Sequence, residues 1–352
     1  MKNKIPEAKL KQRGRASMDF LSHMFHGTSA IRATSTERLQ EKFGAGEDLP
    51  DDLDERSKVV SQFNNTIAES RVNKVLGEWH ATQHGLISTA AFEDMSDSLV
   101  AELRALDKGS STLQLDENLV APEYWDGVEF HRTNGCWEGH EFMGYIHGEI
   151  VHKKMVDAIY PGGIYTQRLK VAQLAPKDHY ENILEMGSAT GHFTMALTEA
   201  YPDAQITGIE LSKTALEHCV RVGNANNLNW RLIQGAAENT GFESDSFDLV
   251  TSYILLHELP VDVIKQVFAE AFRVLKPGGE MLMSDVVRYA DLDKLQEWQA
   301  DDMAEYGGEP WWRESASADL KQIATDVGFF DAYNTNLGMG PYPHVVIGTK
   351  PA

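Results

Sequence analysis

From residue 182 onward the chain alternates short apolar runs with stretches of helical periodicity, and this alternation restricts the fold more than any other feature. Asn182–Met186, Gln205–Glu210, Trp230–Gln234, Phe247–Tyr253 and Glu280–Val286 are short, apolar and bounded by turn residues, as buried strands are. Helical patterns lie between them, near residues 191–201, 212–222 and 261–275. Strands that alternate with helices imply a parallel sheet with crossover connections. Phe329–Thr335 and His344–Thr349 follow with no helix between them, which predicts an antiparallel hairpin. The expected class is α/β, with a seven-stranded sheet closed by that hairpin.

The segment from Ile183 to Thr194 carries the most chemistry. A buried strand runs into a turn built as Glu185-x-Gly187-x-Ala189-x-Gly191, and a helix opens directly after it. Gly187 lets the backbone turn tightly and approach a ligand. Gly191 falls where the helix begins and its N–H groups are free. Such a turn at the C-terminal end of a sheet strand is the usual crevice for a nucleotide-like ligand. The next strand ends at Glu210, where a carboxylate accepts hydrogen bonds from ribose hydroxyls. A dinucleotide needs G-x-G-x-x-G around its pyrophosphate, and Glu185 suits a pyrophosphate poorly. It suits the cationic amino acid end of S-adenosylmethionine.

With these residues in view, positions 180–352 resemble a class I S-adenosylmethionine-dependent methyltransferase. The Glu185–Gly191 turn is similar to the first motif of that superfamily, and Glu210 to its ribose-binding acid. Gln234-Gly-Ala236-Ala237-Glu238 resembles the adenine-side segment, and Phe247-Asp248 the start of the fourth strand. Val274-Leu-Lys-Pro-Gly278-Gly279 resembles the turn before the fifth strand. The resemblance implies a Rossmann-like domain over 151–352 with S-adenosylmethionine as cofactor. Glu185, Gly187, Ala189, Gly191, Glu210, Leu211, Ala236, Ala237, Glu238 and Ser252 would surround that cofactor. Arg168 would pair with its carboxylate or form a surface ion pair. Two positions depart from the pattern. Ala189 replaces the usual middle glycine. Ala236 stands where many members carry an aspartate for the adenine amine, which leaves adenine to backbone groups near Ala237 and to Glu238.

Methyl transfer from a sulfonium is an in-line displacement with a good leaving group, so catalysis is mostly positioning and exclusion of water. A base is needed only when the acceptor must lose a proton. The candidate base is His257, in Tyr253-Ile-Leu-Leu-His257-Glu258-Leu-Pro260 after the fourth strand. That stretch is similar to the segment that holds the catalytic histidine of small-molecule O-methyltransferases. The alternative is a histidine that packs or caps the turn. Glu258 either orients it or is simply solvated, and Asp248 supports the strand end.

The acceptor pocket is expected from residues 124–152, where aromatics, histidines and glycines crowd together. Tyr124, Trp125, His131, Trp137, His140, Tyr145 and His147 are the candidate walls, since such rings bury large areas and offer polar edges. Trp311 and Trp312, after the fifth strand, either close the pocket or cover a domain junction. His147 and His152 are five apart, not four as in HExxH, and with His131, His140, Glu138, Glu141 and Glu149 they match no standard ligand spacing. No metal is expected.

A chain of 352 residues is long for one ordinary domain and suits two. Val60, Phe63, Ile67, Val72, Val75 and Trp79, then Phe92, Met95, Leu99, Leu103 and Leu106, recur at helical spacing. Residues 1–150 therefore read as a helical cap or dimerisation domain, with a mobile basic arm at 1–15. The net charge of −21 repels phosphate backbones and anionic bilayers, so nucleic acid and membrane are not expected partners. Cys136 and Cys219 cannot build a disulfide framework or a four-ligand zinc site. No secretory signal or spanning stretch is read, which fits a reducing cytoplasm. The expected acceptor is a small, partly apolar molecule with a hydroxyl, or with sulfur or carbon as the nucleophile. A nicotinamide-dependent oxidoreductase and a cofactor-binding regulatory scaffold are the rival readings.

Overall fold

The computed structural model describes residues 3–157 and 163–352. Eight strands form one sheet: β1 (Thr112–Gln114), β2 (Asn182–Met186), β3 (Gln205–Glu210), β4 (Arg231–Gln234), β5 (Phe247–Tyr253), β6 (Leu275–Asp285), β7 (Phe330–Thr335) and β8 (His344–Thr349). Their spatial order is β1-β4-β3-β2-β5-β6-β8-β7. All neighbours are parallel except β8, which runs antiparallel to both β6 and β7. The order reverses between β2 and β5, so a crevice opens beyond their C-terminal ends.

The seven expected strands are all present, and the eighth corrects the expected count. β1 comes from the N-terminal half and has two of its three side chains exposed, so it has no apolar alternation to read. It forms because β4 offers a free edge and Ser111 is fixed there. Ser111 N donates to Asn224 Oδ1 at 2.8 Å and Thr112 N to the Trp230 carbonyl at 2.8 Å.

In the N-terminal half lie α1 (Gln12–Gly27), α2 (Ser29–Phe43), α3 (Leu53–Asn64), α4 (Ala68–Glu93) and α5 (Ser96–Ala105). The acidic stretch before α3 ends in Asp52, whose side chain caps the helix by accepting from Glu55 N. A short helix, α6 (Met143–Tyr145), continues as a π-wound segment, Ile146–Val156. The sheet is flanked by α7 (Ile164–Ala172), α8 (His192–Ala200), α9 (Lys213–Ala225) and α10 (Val261–Val274). After β6 come α11 (Lys294–Gly307), α12 (Trp312–Ser317) and α13 (Leu320–Val327).

Alternation along β2 divides the core. Ile183 faces a cluster with Phe193, Leu216 and Leu249, whereas Leu184 faces one with Val250, Val267 and Phe268. The first cluster also takes in Met18, Leu21, Phe92 and Leu103 from the helical half, so one continuous core joins the two parts. The expected mobile arm at 1–15 lies outside the described residues at 1–2; from residue 3 onward it is docked, which corrects that expectation. Ile5 is buried, and the Pro6 carbonyl accepts from Tyr145 Oη at 2.9 Å. α11 returns to the helical half, where Leu295 and Trp298 pack with Leu39, Val60 and Ile67. Arg56 closes this contact. It is 2% exposed, pairs with Glu297 at 2.6 Å and donates to the Pro50, Asp51 and Lys294 carbonyls. Among the described residues, no helix is long and apolar enough to cross a membrane.

Candidate active site

β2 and β3 deliver their last residues to the crevice between the sheet and the helical half. At the turn after β2, Gly187 has φ +73° and donates its N–H to the Ile209 carbonyl at 2.9 Å. A Cβ there would lie 2.9 Å from a Leu255 methyl group, which would have to shift, so it is chiefly the positive φ that calls for glycine. Gly191, at φ +84°, stands immediately before α8, with the Cys219 sulfur 2.9 Å from where its Cβ would be. Ala189 has φ +42°, where an L-residue is strained. The left-handed penalty of about 1–2 kcal/mol exceeds the entropic cost of glycine, about 0.5–1 kcal/mol. Ala189→Gly is therefore expected to raise stability by roughly 0.5–1 kcal/mol. Urea denaturation checks this, and a lowered midpoint contradicts it.

Glu210 ends β3 with one carboxylate oxygen accepting from Ala189 N at 3.1 Å and the other from Ser212 N at 2.9 Å. Each oxygen keeps a lone pair for a ligand. Burial raises Glu210 to about 7, against these backbone donors. Glu185, 1% exposed, accepts from Thr194 Oγ1 at 2.6 Å. Burial raises it to about 8, while Thr194 and Arg168 favour the charge. Arg168 lies over the Tyr253 ring at 5.3 Å, held between the sheet and α7.

Glu185, Gly187, Ala189, Glu210 and Arg168 line one cavity of about 510 Å³ that extends from the glycine turn into the helical half. His257 lines it too, on the short turn after β5. Its Nδ1 lies 2.8 Å from Asp285 Oδ1 at the end of β6. The two Asp285 oxygens also accept from Leu256 N at 2.6 Å and Val286 N at 2.7 Å, which fixes the carboxylate. Burial opposes charge on His257, yet Asp285 beside it raises the imidazole to about 9. Trp312 packs edge-on to the ring at 5.4 Å. The expected orienting role of Glu258 is thus corrected. Glu258 lies 3.4 Å from His131 Nε2, and Glu309 lies 2.6 Å from His131 Nδ1. Burial disfavours the His131 cation, but Glu309 and Glu258 raise it well above its ordinary value.

A column of neutral imidazoles forms the adjoining wall. The π-winding between residues 146 and 156 puts positions five apart on one face, so the spacing of His147 and His152 brings their rings to 4.9 Å, tilted by 60°. His152 stacks on His192 at 4.9 Å, and Trp137 meets His147 edge-on at 4.3 Å. Burial holds His147 and His152 well below 6.5 and His192 at about 3. Among the described residues no cluster of His, Cys, Asp or Glu is arranged to hold a metal ion.

Residues 183–279, which span the glycine turn, Glu210 and His257, match the methyltransferase domain family. The chain carries a class I S-adenosylmethionine-dependent methyltransferase domain. S-adenosylmethionine is its cofactor. The chain is 32% identical over 121 residues to a phthiotriol/phenolphthiotriol dimycocerosates methyltransferase of Mycobacterium ulcerans, covering 34% of this chain and 42% of that one. It is 31% identical over 161 residues to the arsenite methyltransferase of Mus musculus, covering 42% and 40%. It is 32% identical over 103 residues to a ubiquinone/menaquinone biosynthesis C-methyltransferase of Desulfotalea psychrophila, covering 29% and 40%. The chain thus spans about two fifths of the length of these relatives. A phosphoethanolamine N-methyltransferase 2 of Haemonchus contortus, solved with S-adenosylmethionine, aligns at 18% identity and a TM-score of 0.46, over 67% of this chain and 61% of that one.

Of the expected cofactor residues, Gly191 does not line the cavity; Glu185, Gly187, Ala189, Glu210, Leu211, Ala237 and Arg168 do. Ser252 is not among them. It is fully buried, and its hydroxyl faces Met283 Sδ at 3.1 Å within the sheet. Ala236 and Glu238 flank the wall without lining it, and Glu238 accepts from Tyr124 Oη at 2.8 Å. Tyr124, Trp125, His131, Trp137 and His147 line the cavity as expected walls. Tyr124 stands on the Ala237 side of it, because Glu238 holds its hydroxyl. Tyr145 and His140 do not reach it. Tyr145 is fully buried against Phe92 and His218, and His140 packs on Phe92 with Nδ1 accepting from Phe142 N. Trp311 donates to the Tyr124 carbonyl at 3.1 Å and, like Trp312, supports the wall from behind. Asp285 and Glu309 escaped the sequence reading. The one available signal was an acid ending the fifth strand, the same signal that marked Glu210 on β3.

Proposed function

We propose that this protein transfers the methyl group of S-adenosylmethionine to a small, partly apolar acceptor bound in the cavity beneath the helical half. The observation that carries the reading is that one cavity is lined by both the glycine turn with Glu210 and His257, which Asp285 holds from behind. Gly187 and Ala189 would admit the cofactor backbone, Glu210 would take its ribose hydroxyls, and Glu185 with Arg168 would face its amino acid end. Ala237 and Leu211 would border the adenine. What the cofactor supplies when bound is an electrophilic methyl group on a sulfonium.

The residues of the chain do the rest. Met155, Val151 and Phe193 exclude water along the cavity wall. Asp285 accepts a hydrogen bond from the Nδ1–H of His257, which leaves Nε2 of the neutral imidazole to accept a proton from an acceptor hydroxyl. His257 holds its own proton below about pH 9 in the free protein. It loses part of that elevation once a sulfonium lies beside it, since a nearby cation disfavours a second one. A hydroxyl acceptor uses His257 as base; a sulfur or carbon acceptor uses it for position.

Calorimetric titration with S-adenosylmethionine, S-adenosylhomocysteine and NADH tests the cofactor part. Binding of both adenosyl ligands and not of NADH is expected, and the reverse pattern sends the reading to an oxidoreductase. Methyl-labelled cofactor offered with matched hydroxyl, thiol and carbon acceptors then tests the chemistry.

A further inference from the structure

α4 runs for 26 residues and has two working faces. One face, with Asn73, Leu76, His80 and His84, lines the main cavity. On the other, Val72, Val75, Trp79 and Leu86 are exposed, Val75 to 64% and Leu86 to 51%. Among the described residues, no other helix exposes more than one large apolar side chain. Thr82, also exposed, fills the remaining place in the row, and its hydroxyl is satisfied within the helix by the Glu78 carbonyl at 3.0 Å. Phe20 of α1 widens the row, packing edge-on to Trp79 at 6.0 Å while itself exposed.

The spacing of the row says what it fits. Val72, Val75, Trp79, Thr82 and Leu86 follow one another in steps of three and four residues, the repeat of a seam between two helices wound around each other. Its ends carry opposite charges. Arg71 flanks the row at the N-terminal end of α4, and Glu93 extends it by one further heptad at the C-terminal end. Arg71 gives one donor to the Asn65 carbonyl at 3.3 Å, which leaves the rest of its guanidinium fork. Glu93 lies 4.0 Å from His140 Nε2, with its side chain 63% exposed. The other charges nearby are answered locally or stand aside. Glu69 pairs with Arg38 at 3.4 Å, Lys74 lies over the Tyr306 ring, and Lys11 lies 3.9 Å from Asp94. Arg13 and Arg15 are exposed on α1, which passes the end of α4 with Gly14 against Ala91.

We propose that α4 packs antiparallel on α4 of a second copy of this chain, giving a two-fold dimer closed at this row. Setting Trp79 against Thr82 of the second copy also sets Val75 against its Leu86, the alternating layers of an antiparallel seam. Arg71 then lies about 4.5 Å along the helix axis from Glu93 of the second copy. Symmetry makes that pair twice. Glu78, on the same flank as Arg71, meets Gly85, so no like charges oppose each other along the seam. A parallel copy would instead set Glu93 on Glu93. An isologous contact also closes on itself and leaves no apolar row exposed. Because the opposite face of α4 lines the cavity, the contact holds that wall in place. The inference is independent of which acceptor the cavity takes.

Sedimentation velocity of the full chain, between about 1 and 100 μM, reads the association. Salt of about 0.15 M screens the net charge of −21 beyond about 8 Å. A monomer–dimer equilibrium is expected. Val75→Glu should weaken it about 100-fold or more, because symmetry buries the new charge twice. Val75 is exposed in the single chain, so the urea midpoint of that variant, measured where the chain is monomeric, should match that of the intact protein. Arg71→Glu and Glu93→Arg should each dimerise about tenfold more weakly alone, since each opposes like charges twice. Mixed together they should recover the original affinity, because the mixed dimer restores both pairs. A chain that stays monomeric throughout overturns the proposal. So does a dimer indifferent to Val75→Glu, or a mixture of the two charge variants no tighter than either alone. Monomers that instead bind phosphatidylglycerol vesicles, with the binding lost in Trp79→Ala, assign the row to a membrane and overturn it as well.

Discussion

Glu210→Ala is expected to weaken S-adenosylmethionine binding by about 100-fold or more, since hydrogen bonds to a charged group contribute about 1.5–3 kcal/mol each and two ribose hydroxyls are involved. Calorimetry on the intact and altered proteins measures it directly. A Kd within threefold of the original removes Glu210 from the site. The pH dependence gives an independent check. Burial raises Glu210 to about 7, and ribose hydroxyls donate more strongly to its ionised form than to the neutral acid. Affinity should therefore rise with pH up to about 7 and level off above it. Glu185, raised to about 8, extends the rise slightly if the cofactor's ammonium lies against it. A Kd flat between pH 5.5 and 8 contradicts this assignment. The loss in Glu210→Ala should not extend to the fold. The carboxylate accepts two backbone N–H groups, but both lie at a turn that faces the cavity, where water can replace it.

Asp285→Asn is expected to lower the His257 pKa from about 9 to below its free value of 6.5, because burial then acts without the opposing carboxylate. Histidine-selective NMR titration reads the shift. Glu258 and Glu309, which also face this ring, limit the fall. The sign for stability follows by linkage. His257 is held above its unfolded value, so its contribution is complete below pH 6.5 and disappears as pH rises through about 9. A rise from 6.5 to about 9 corresponds to stability on the order of 3 kcal/mol at acidic pH. The difference between intact and Asp285→Asn proteins should accordingly be largest near pH 6 and small at pH 10. With a hydroxyl acceptor, kcat should fall by about 10²-fold or more, the range lost when a positioned base is disabled. Adenosyl ligands should bind as before. Unchanged turnover with a shifted pKa would assign His257 to positioning and favour a sulfur or carbon nucleophile.

The contrast between these two sites shows where sequence reading succeeds. Glu210 and the Gly187–Gly191 turn are local features. A short, continuously buried strand, a turn that requires positive φ and an acid at the next strand end can each be read within a few residues. The seven strands were legible for the same reason. β1 was not, because its polar residues become a strand only when β4 presents an edge. Tyr145 and His140 show the converse difficulty. Their composition suits a pocket, and packing on Phe92 puts both in the core region instead.

What the sequence determined by itself is the chemistry carried by each strand end, since covalent neighbours and strand period leave few alternatives there. Which of those ends meet was decided by the tertiary structure. His257 is oriented by Asp285 and not by adjacent Glu258 because β5 and β6 lie side by side, bringing together residues 28 apart in the chain. Glu258 instead answers His131 from the helical half, with Glu309 closing the pair from the segment after α11. The five-residue spacing of His147 and His152 acquires meaning only through π-winding, which places both rings on one face. Long-range pairing of this kind depends on sheet order and on how the helices pack across it, and neither is written in the local pattern of residues.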